Sequence, residues 1–223
     1  MTESLFSLSD MPFAEAETVI SVFVRSDGEI FIECADQLKG FGSKLVSEFG
    51  DDVLSSKARL FAYNYALLGL DFYKALVPAE NCGKIICDMQ YMPQDEPFPS
   101  IAKRLDGSEN YPHMLDDIKL GAENGYVCYG VVEENNVLCA AYSFIPEDDI
   151  DVEVEIGVET VPEHRGKGFA YESATALASY LYEKGHEVIY SYYEENLASA
   201  RLAEKCSFVN FANGFEIILE RGV

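Results

Sequence analysis

Two spacings of hydrophobic residues predict most elements of this chain. From residue 152 to 160, valine and isoleucine occupy every second position between glutamates and a glycine, which is the period of two of a strand. After a short turn, Ala170, Ala174, Leu177, Ala178 and Leu181 recur at helical spacing. This stretch therefore predicts a strand, a turn and a helix.

The same patterns predict further elements on both sides. Residues 126–133 and 137–145 form two strands around Glu134-Asn135-Asn136, a hairpin with a short polar turn. The other predicted elements are strands at 84–92 and 187–193, helices at 100–105 and 111–124, and a helix from Asn196 that runs into a strand at Phe208. The predicted order from about residue 83 is β-α-α-β-β-β-α-β-α-β-β.

The first 82 residues form an accessory β-β-α-α lobe in this interpretation, and residues 83–223 form the main domain. Strands at 18–24 and 29–34 flank an Asp-Gly hairpin turn, and helices follow at 36–49 and 53–76. The second helix carries so many aromatic residues that we expect it to pack on the core or on another subunit, which leaves a homodimer open. Residues 61–65 could line a substrate pocket, but core packing is favoured.

The turn after the alternating strand has the chemistry of an anion site. Gly166 and Gly168 carry no side chains, Arg165 is cationic, and the first free N–H groups of the next helix lie here. Pyrophosphate fits such a turn because the positive end of the helix dipole adds to the N–H groups. The dinucleotide fingerprint and the Walker pattern are both absent.

Two motifs, about thirty residues apart and joined by the expected strand, carry a resemblance to a known family. Arg165-x-x-Gly168-x-Ala170 and the segment from Asn196 to Phe208 resemble motifs of the GNAT superfamily of acetyl-CoA-dependent N-acetyltransferases. The second motif departs from the pattern, because Ser207 stands where glycine is usual and Ala203 stands where tyrosine is often found.

The resemblance implies the fold, the co-substrate and a set of binding residues. The fold class is α/β (α+β), the GNAT fold, in which helices flank a mixed, mostly antiparallel sheet. Acetyl-CoA is the co-substrate, no metal is required, and the acceptor is a small-molecule or peptide amine. The donor-binding residues by this resemblance are Val158, Glu159, Thr160, Arg165, Gly166, Lys167, Gly168, Phe169, Ala170, Asn196 and Ser199.

Amide formation requires a base, because an amine is protonated at neutral pH. In the superfamily a carboxylate on the strand before the turn often serves, and Glu155 is the first candidate here, with Glu153 the second. Both could equally be solvated acids at a strand edge. Backbone N–H groups from Val158 to Thr160 would stabilise the oxyanion if the strand is bulged there, which Gly157 makes easier.

The departures at Ala203 and Ser207 keep other readings open. The family's tyrosine would protonate the thiolate leaving group, so Tyr192, Tyr193, Tyr171 or water must substitute. Asn196 would bond the pantetheine arm by resemblance, and it is also a good helix N-cap. A non-catalytic acyl-CoA-binding or regulatory module and an acyltransferase for a longer acyl chain remain alternatives.

Charge and composition exclude several classes of binding partner. The formal net charge of −23 argues against nucleic acid and against anionic membranes. Neither a signal peptide nor an apolar run of spanning length is recognisable, so we expect a cytoplasmic protein. The six cysteines show no C-x-x-C pair and no His at ligand spacing, which favours reduced core cysteines over zinc.

Acidic residues are concentrated between Glu147 and Glu163, where the chain has no Lys or Arg. This run could be a solvated loop and strand end. It could equally be an acidic mouth that attracts a cationic primary amine. The sequence favours neither the solvated loop nor the acidic mouth.

Overall fold

The computed structural model describes residues 16–70, 73–75, 83–93, 100–145 and 153–221. The chain divides into two compact units. The first unit contains the residues up to Cys87 together with those from Ala212 onward, and the second contains Asp88–Phe211. Each unit has a hydrophobic core of its own.

The first unit begins with the predicted hairpin. Strands β1 (Ala16–Arg25) and β2 (Ile30–Cys34) pair antiparallel. The turn holds because the Glu29 amide donates to the Asp27 carboxylate at 3.0 Å and Gly28 adopts a positive φ of 87°. The other edge of β1 pairs with strand β11 (Phe208–Arg221), which also pairs with the short strand β3 (Tyr73–Ala75).

Both helices of this unit are shorter than the sequence analysis predicted. Helix α1 covers Phe41–Phe49, because Gly40 has a φ of 84° and separates it from a single 3₁₀ turn. Helix α2 covers Ser56–Gly69, capped by the Ser55 hydroxyl, which accepts a bond from the Ala58 amide at 3.2 Å. The prediction of a helix to residue 76 was wrong, since Tyr73–Ala75 forms β3.

The aromatic residues of α2 pack inside this unit. The Phe41 ring lies 5.3 Å from the ring of Tyr65, and Phe61 stacks between Phe41 and Phe49. These rings cover a core that includes Leu45, Ala62 and Phe215. Core packing was therefore the correct reading of residues 61–65.

The second unit contains two sheets and the helices that cover them. One sheet has the order β11-β4-β10-β8, of which β11 contributes its first residues, and the other has the order β5-β6-β7-β9. The strands are β4 (Ile85–Tyr91), β5 (Lys103–Leu105), β6 (Val127–Glu133), β7 (Asn136–Ser143), β8 (Glu153–Glu155), β9 (Gly157–Thr160) and β10 (Glu187–Tyr193). The helices are α3 (Asp116–Glu123), α4 (Phe169–Glu183) and α5 (Leu197–Lys205).

The hairpin predicted at residues 126–145 is present. Glu134 and Asn135 form its two-residue turn with positive φ values of 47° and 66°, as a type I′ turn requires. Helix α3 follows a 3₁₀ turn and ends before Gly125, whose φ is 100°. The element predicted at 111–124 is therefore confirmed, with a later α-helical start.

Two predicted elements differ from the structure. The helix predicted at 100–105 is strand β5, because Leu105 is buried when this segment pairs with β6. The two strands expected after residue 208 are the single strand β11. Gly214 does not turn the chain: it lies opposite Phe23, whose ring a Cβ at that position would overlap.

The division predicted at 82/83 stays a prediction, and the structure adds one observation to it. Residues Ala212–Glu220 pair with β1 along its whole length, so the end of the chain completes the first unit. Of the five described cysteines, Cys128, Cys139 and Cys206 are buried thiols, whereas Cys34 is exposed. Among the described residues no helix is both long and apolar enough to cross a bilayer.

Candidate active site

The strand predicted at residues 152–160 changes its partner in the middle. Strand β8 pairs parallel with β10, and the Ile156 amide still donates to the Ile189 carbonyl at 2.9 Å. From Gly157 the chain pairs antiparallel with β7 instead. Strand β9 and the second half of β10 are therefore no longer paired, and we call the space between them the gap. The bulge expected at residues 158–160 was wrong, because the register from Gly157 to Thr160 is regular.

Backbone N–H groups of β9 point into this gap. The amides of Ile156 and Val161 donate in opposite directions, to Ile189 of β10 and to Leu138 of β7. Directions alternate along a strand, so the N–H groups of Val158 and Thr160 point to the β10 side. The N–H of Glu159 points to β7 by the same alternation.

Side chains along β8 and β9 divide between two faces of the sheet. Val154 and Ile156 are buried against α4, together with Val158, and we call this side the α4 face. Glu155, Gly157 and Glu159 point to the opposite side, which we call the acid face. Glu155 is half-buried there, and Glu153 is exposed. Residues 147–152 of the acidic run lie outside the described residues.

The backbone at Glu155 is held by the neighbouring strand. The buried hydroxyl of Ser143, the last residue of β7, donates to the Glu155 carbonyl at 2.8 Å. Tyr142 covers Gly157 from the acid face, and its ring occupies the place where a Cβ at Gly157 would be. Gly157 therefore makes room for a ring, which sequence analysis had not considered.

The electrostatics of Tyr142 agree with this placement. Burial raises the pKa of its phenol, and the carboxylates of Glu159 and Glu155 raise it further. The phenol stays protonated at neutral pH for both reasons. The carboxylates of Glu155 and Glu159 therefore lie close enough to Tyr142 to affect its pKa.

The turn that follows β9 has the form of a cradle, which we define as residues 165–170. Gly166 and Gly168 have φ values of 76° and 86°, a conformation that favours glycine. No heavy atom lies within 4 Å of a Cβ built on either glycine, so the space above both is open. Gly168 is also the N-cap of α4, and no side chain caps the helix there. The first N–H groups of a fifteen-residue helix thus have no side-chain cap and lie beside two open glycines, as an anion site requires.

Cations surround the cradle. The Arg165 guanidinium donates to the Thr160 carbonyl and to the Glu159 carboxylate, each at 3.1 Å, and so connects the cradle to β9. The Lys167 ammonium lies 3.1 Å from Nδ1 of His164 and is exposed. Two positive side chains therefore lie beside the glycines, of which Arg165 is paired with Glu159.

The second motif forms the N-terminus of α5 beside β10. The Asn196 side chain accepts from the Ser199 amide at 3.2 Å, which confirms the N-cap. The Ser199 hydroxyl accepts from the phenol of Tyr190 at 3.0 Å, and burial raises the pKa of that phenol. Both predicted binding residues are thus also structural.

Ala203 and Ser207, the two departures from the family pattern, differ in kind. Ala203 is fully buried in the core under α4 and α5. Ser207 follows the helix with a φ of 65°, a left-handed conformation in which glycine is unstrained. The absent glycine therefore affects the backbone, whereas the absent tyrosine removes a hydroxyl.

Tyr192 and Glu155 lie on opposite faces of the sheet. Val188 pairs with Val154 and shares its core, so Tyr190 and Tyr192 also point to the α4 face. The Tyr192 hydroxyl is 3.8 Å from the sulfur of Met89. The Tyr192 hydroxyl therefore lies on the α4 face, and the Glu155 carboxylate lies on the acid face.

Sequence reasoning missed the aromatic residues of the acid face. The rings of Tyr126 and Phe144 are in contact, with centroids 5.3 Å apart and planes tilted by 55°, beside Tyr142. They belong to no motif, and only the register of β6 with β7 and of β7 with β9 places them on the face of Glu155. Their even spacing from Cys128 and Tyr142 along two predicted strands was the available signal.

Comparison with known proteins agrees with this geometry. The sequence model of the acetyltransferase (GNAT) domain matches residues 87–209, more than half of the chain. A GNAT-family acetyltransferase structure from Novosphingobium aromaticivorans superposes with a TM-score of 0.53 at 16% identity, covering 68% of this chain and 69% of that chain. One from Colwellia psychrerythraea gives a TM-score of 0.52 at 15% identity, covering 97% and 90%.

At such identities these two structures show the fold alone. A search among curated proteins gave no match. Members of the matched family use acetyl-CoA as the acyl donor. The chain therefore belongs to the GNAT acetyltransferase family and is an acyltransferase.

Proposed function

We propose that this protein is an N-acetyltransferase that transfers an acetyl group from acetyl-CoA to a cationic primary amine by direct attack in a ternary complex. The partner change at Ile156 carries this proposal. It leaves the N–H groups of Val158 and Thr160 pointing into a gap that has the cradle at one end and Glu155 on one face.

The donor binds along the α4 face in this proposal. The N–H groups of residues 166–170 hold the pyrophosphate, with Arg165 and Lys167 as counter-charges. Thr160 bonds the pantetheine arm, which extends the sheet at the edge that β9 leaves open, and the Val158 N–H faces the thioester carbonyl at the end of the arm. Asn196 and Ser199 complete the arm's contacts at the start of α5.

The acceptor approaches from the acid face. Glu155, or Glu153 as the second choice, takes a proton from the ammonium, and the nitrogen lone pair attacks the thioester carbonyl. Electrons move onto the carbonyl oxygen, where a β9 N–H stabilises the oxyanion. Collapse breaks the C–S bond and releases a thiolate, while the nitrogen gives up its second proton as the amide forms. Tyr192 or water protonates the thiolate from the α4 face, and the proton released by the nitrogen replaces the one that Tyr192 or water has given.

An assay of free thiol with mass analysis of the product tests this function. The protein is incubated with acetyl-CoA and a panel of neutral, anionic and cationic amines, and CoA binding is measured separately by calorimetry. We expect acetylated amine and free thiol in equal amounts. CoA binding without any acetylated amine would contradict the proposal, as would faster transfer to neutral or anionic amines than to cationic ones.

A further inference from the structure

An exposed pair of aromatic rings lies on the acid face. Tyr126 precedes β6 and Phe144 follows β7, and their side chains are 36% and 48% exposed. The rings are tilted by 55° with centroids 5.3 Å apart. We call this pair the aromatic wall. Exposed aromatic rings in contact are typical of binding surfaces, because each ring still has apolar area to bury.

The wall is next to the proposed base. Tyr142 pairs with Gly157, and continuing this register by two residues places Phe144 opposite Glu155. The Ser143 hydroxyl, 2.8 Å from the Glu155 carbonyl, shows that the chains still run side by side there. Opposite residues on one face have Cβ atoms about 5 Å apart. The Phe144 and Glu155 side chains therefore lie on the same face of neighbouring segments of the chain.

Two glycines hold the rings on this face. A Cβ at Gly121 of α3 would lie 2.7 Å from the Tyr126 ring, so the glycine lets this ring pack on the helix. Glycine inside a helix costs roughly 1 kcal/mol relative to alanine. Gly157 makes room for Tyr142 in the same way. The acid face is thus shaped around rings at two separate positions.

We infer that the aromatic wall binds an apolar group attached close to the reacting amine, while Glu155 faces its ammonium. This inference rests on the proposed function and names its acceptor class, a primary amine with an aromatic or bulky aliphatic substituent on the neighbouring carbons. Charge complementarity selects this occupant, because Glu155 and the exposed Glu153 lie on the same face as the wall, whereas Glu159 is paired with Arg165. The substituent covers the two rings as the cation meets the carboxylates.

A pair of amines with equal charge tests the inference by activity. We expect 2-phenylethylamine to be acetylated with a kcat/KM roughly tenfold above that of ethylamine, since a contact between aromatic rings is worth about that factor. The Phe144→Ala variant should lose this preference through a higher KM for 2-phenylethylamine, with ethylamine and CoA binding unchanged. Phe31→Ala is the control, because Phe31 is 43% exposed in the first unit.

A binding readout separates this inference from the proposed function. The chain has no tryptophan, so Phe144→Trp and Phe31→Trp each introduce a single tryptophan, whose emission can be excited apart from that of the tyrosines. We expect the emission of Phe144→Trp to change with 2-phenylethylamine at lower concentrations than with ethylamine, and that of Phe31→Trp to remain constant. A response of Phe144→Trp in a protein that acetylates no amine would support the wall and contradict the transfer.

The opposite outcomes are equally decisive. Equal acetylation of both amines, unchanged by Phe144→Ala, would overturn the wall and leave the transfer intact. Emission of Phe144→Trp that depends on protein concentration and not on amine would show that a second copy covers the rings, which would also overturn it. A reporter that responds to neither amine would do the same.

Discussion

The α4 face and the acid face of the same sheet use different parts of the chain for their chemistry. On the α4 face the cradle presents backbone N–H groups, positive-φ glycines and cations from one short segment. On the acid face Glu155, Tyr142, Phe144 and Tyr126 lie in or beside three strands, and only the register of those segments brings them together. The donor side is therefore local in sequence, and the acceptor side is not. Substitutions should affect the two sides separately.

The largest expected effect breaks the donor side alone. Gly168→Asp should weaken CoA binding on the order of 100- to 1,000-fold, because a carboxylate about 4 Å from a phosphate costs on the order of 4 kcal/mol. Strain at φ 86° would also destabilise the fold. Gly185→Asp is the matched control, since Gly185 has a φ of 94° and open space at the far end of α4.

Calorimetry with CoA on both folded variants makes the measurement. Equal loss in the two variants would show that strain alone acts. Unchanged affinity in Gly168→Asp would remove the cradle from the donor site.

The next effect breaks the acceptor side. Glu155→Gln keeps the size of the side chain but cannot take a proton, so kcat should fall roughly 100-fold or more, with CoA affinity retained. Glu153→Gln is the control on the same strand. Steady-state kinetics of both variants decides between them, because activity that persists in Glu155→Gln and falls in Glu153→Gln would assign the base to Glu153.

The two sides also differed in how far sequence could predict them. The cradle needs glycines and a helix start at fixed spacing, and Gly166, Gly168 and Asn196 are recognisable without a structure. The wall on the face of Glu155 depends on which residues of β6, β7 and β9 lie opposite each other, and a shift by one residue would turn them to the other face. No local pattern specifies that register.

The errors in the fold have related causes. Residues 100–105 contain too few apolar positions to distinguish helix from strand, and pairing with β6 decides the outcome. Residues Tyr73–Ala75 continue a helical pattern in the sequence, but they pair with the edge of β11 and form a strand. The expected bulge in β9 failed because a strand can change partners without changing its alternation.

A smaller effect is expected from salt, because the acceptor is cationic and CoA is anionic. The acids near Glu155 attract a cationic amine, and salt screens this attraction over roughly 8 to 10 Å. The acceptor KM should therefore rise about fivefold between low and high salt, as a loss of about 1 kcal/mol requires. CoA binding should improve slightly, because the net charge of −23 repels it. An acceptor KM that does not respond to salt would show that these acids are only solvated surface.

The smallest effect concerns backbone strain on the α4 face. Ser207→Gly should raise the free energy of unfolding by about 1 kcal/mol, because the left-handed conformation at φ 65° costs about that much with a side chain. The melting temperature should rise by roughly 2–4 °C, with CoA affinity unchanged. Ser207→Ala retains a Cβ and should not stabilise, and a change in CoA affinity in the glycine variant would assign Ser207 a role in binding.

The pairing of β1 with β11 delays completion of this sheet during synthesis at the ribosome. Arg25 is translated long before its partner Ala212. At roughly 5–20 residues per second, the β1–β2 hairpin waits on the order of tens of seconds for its third strand. A two-stranded hairpin alone is only marginally stable in water. Chaperones and neighbouring nascent chains can therefore bind the unpaired edge of β1 throughout that interval.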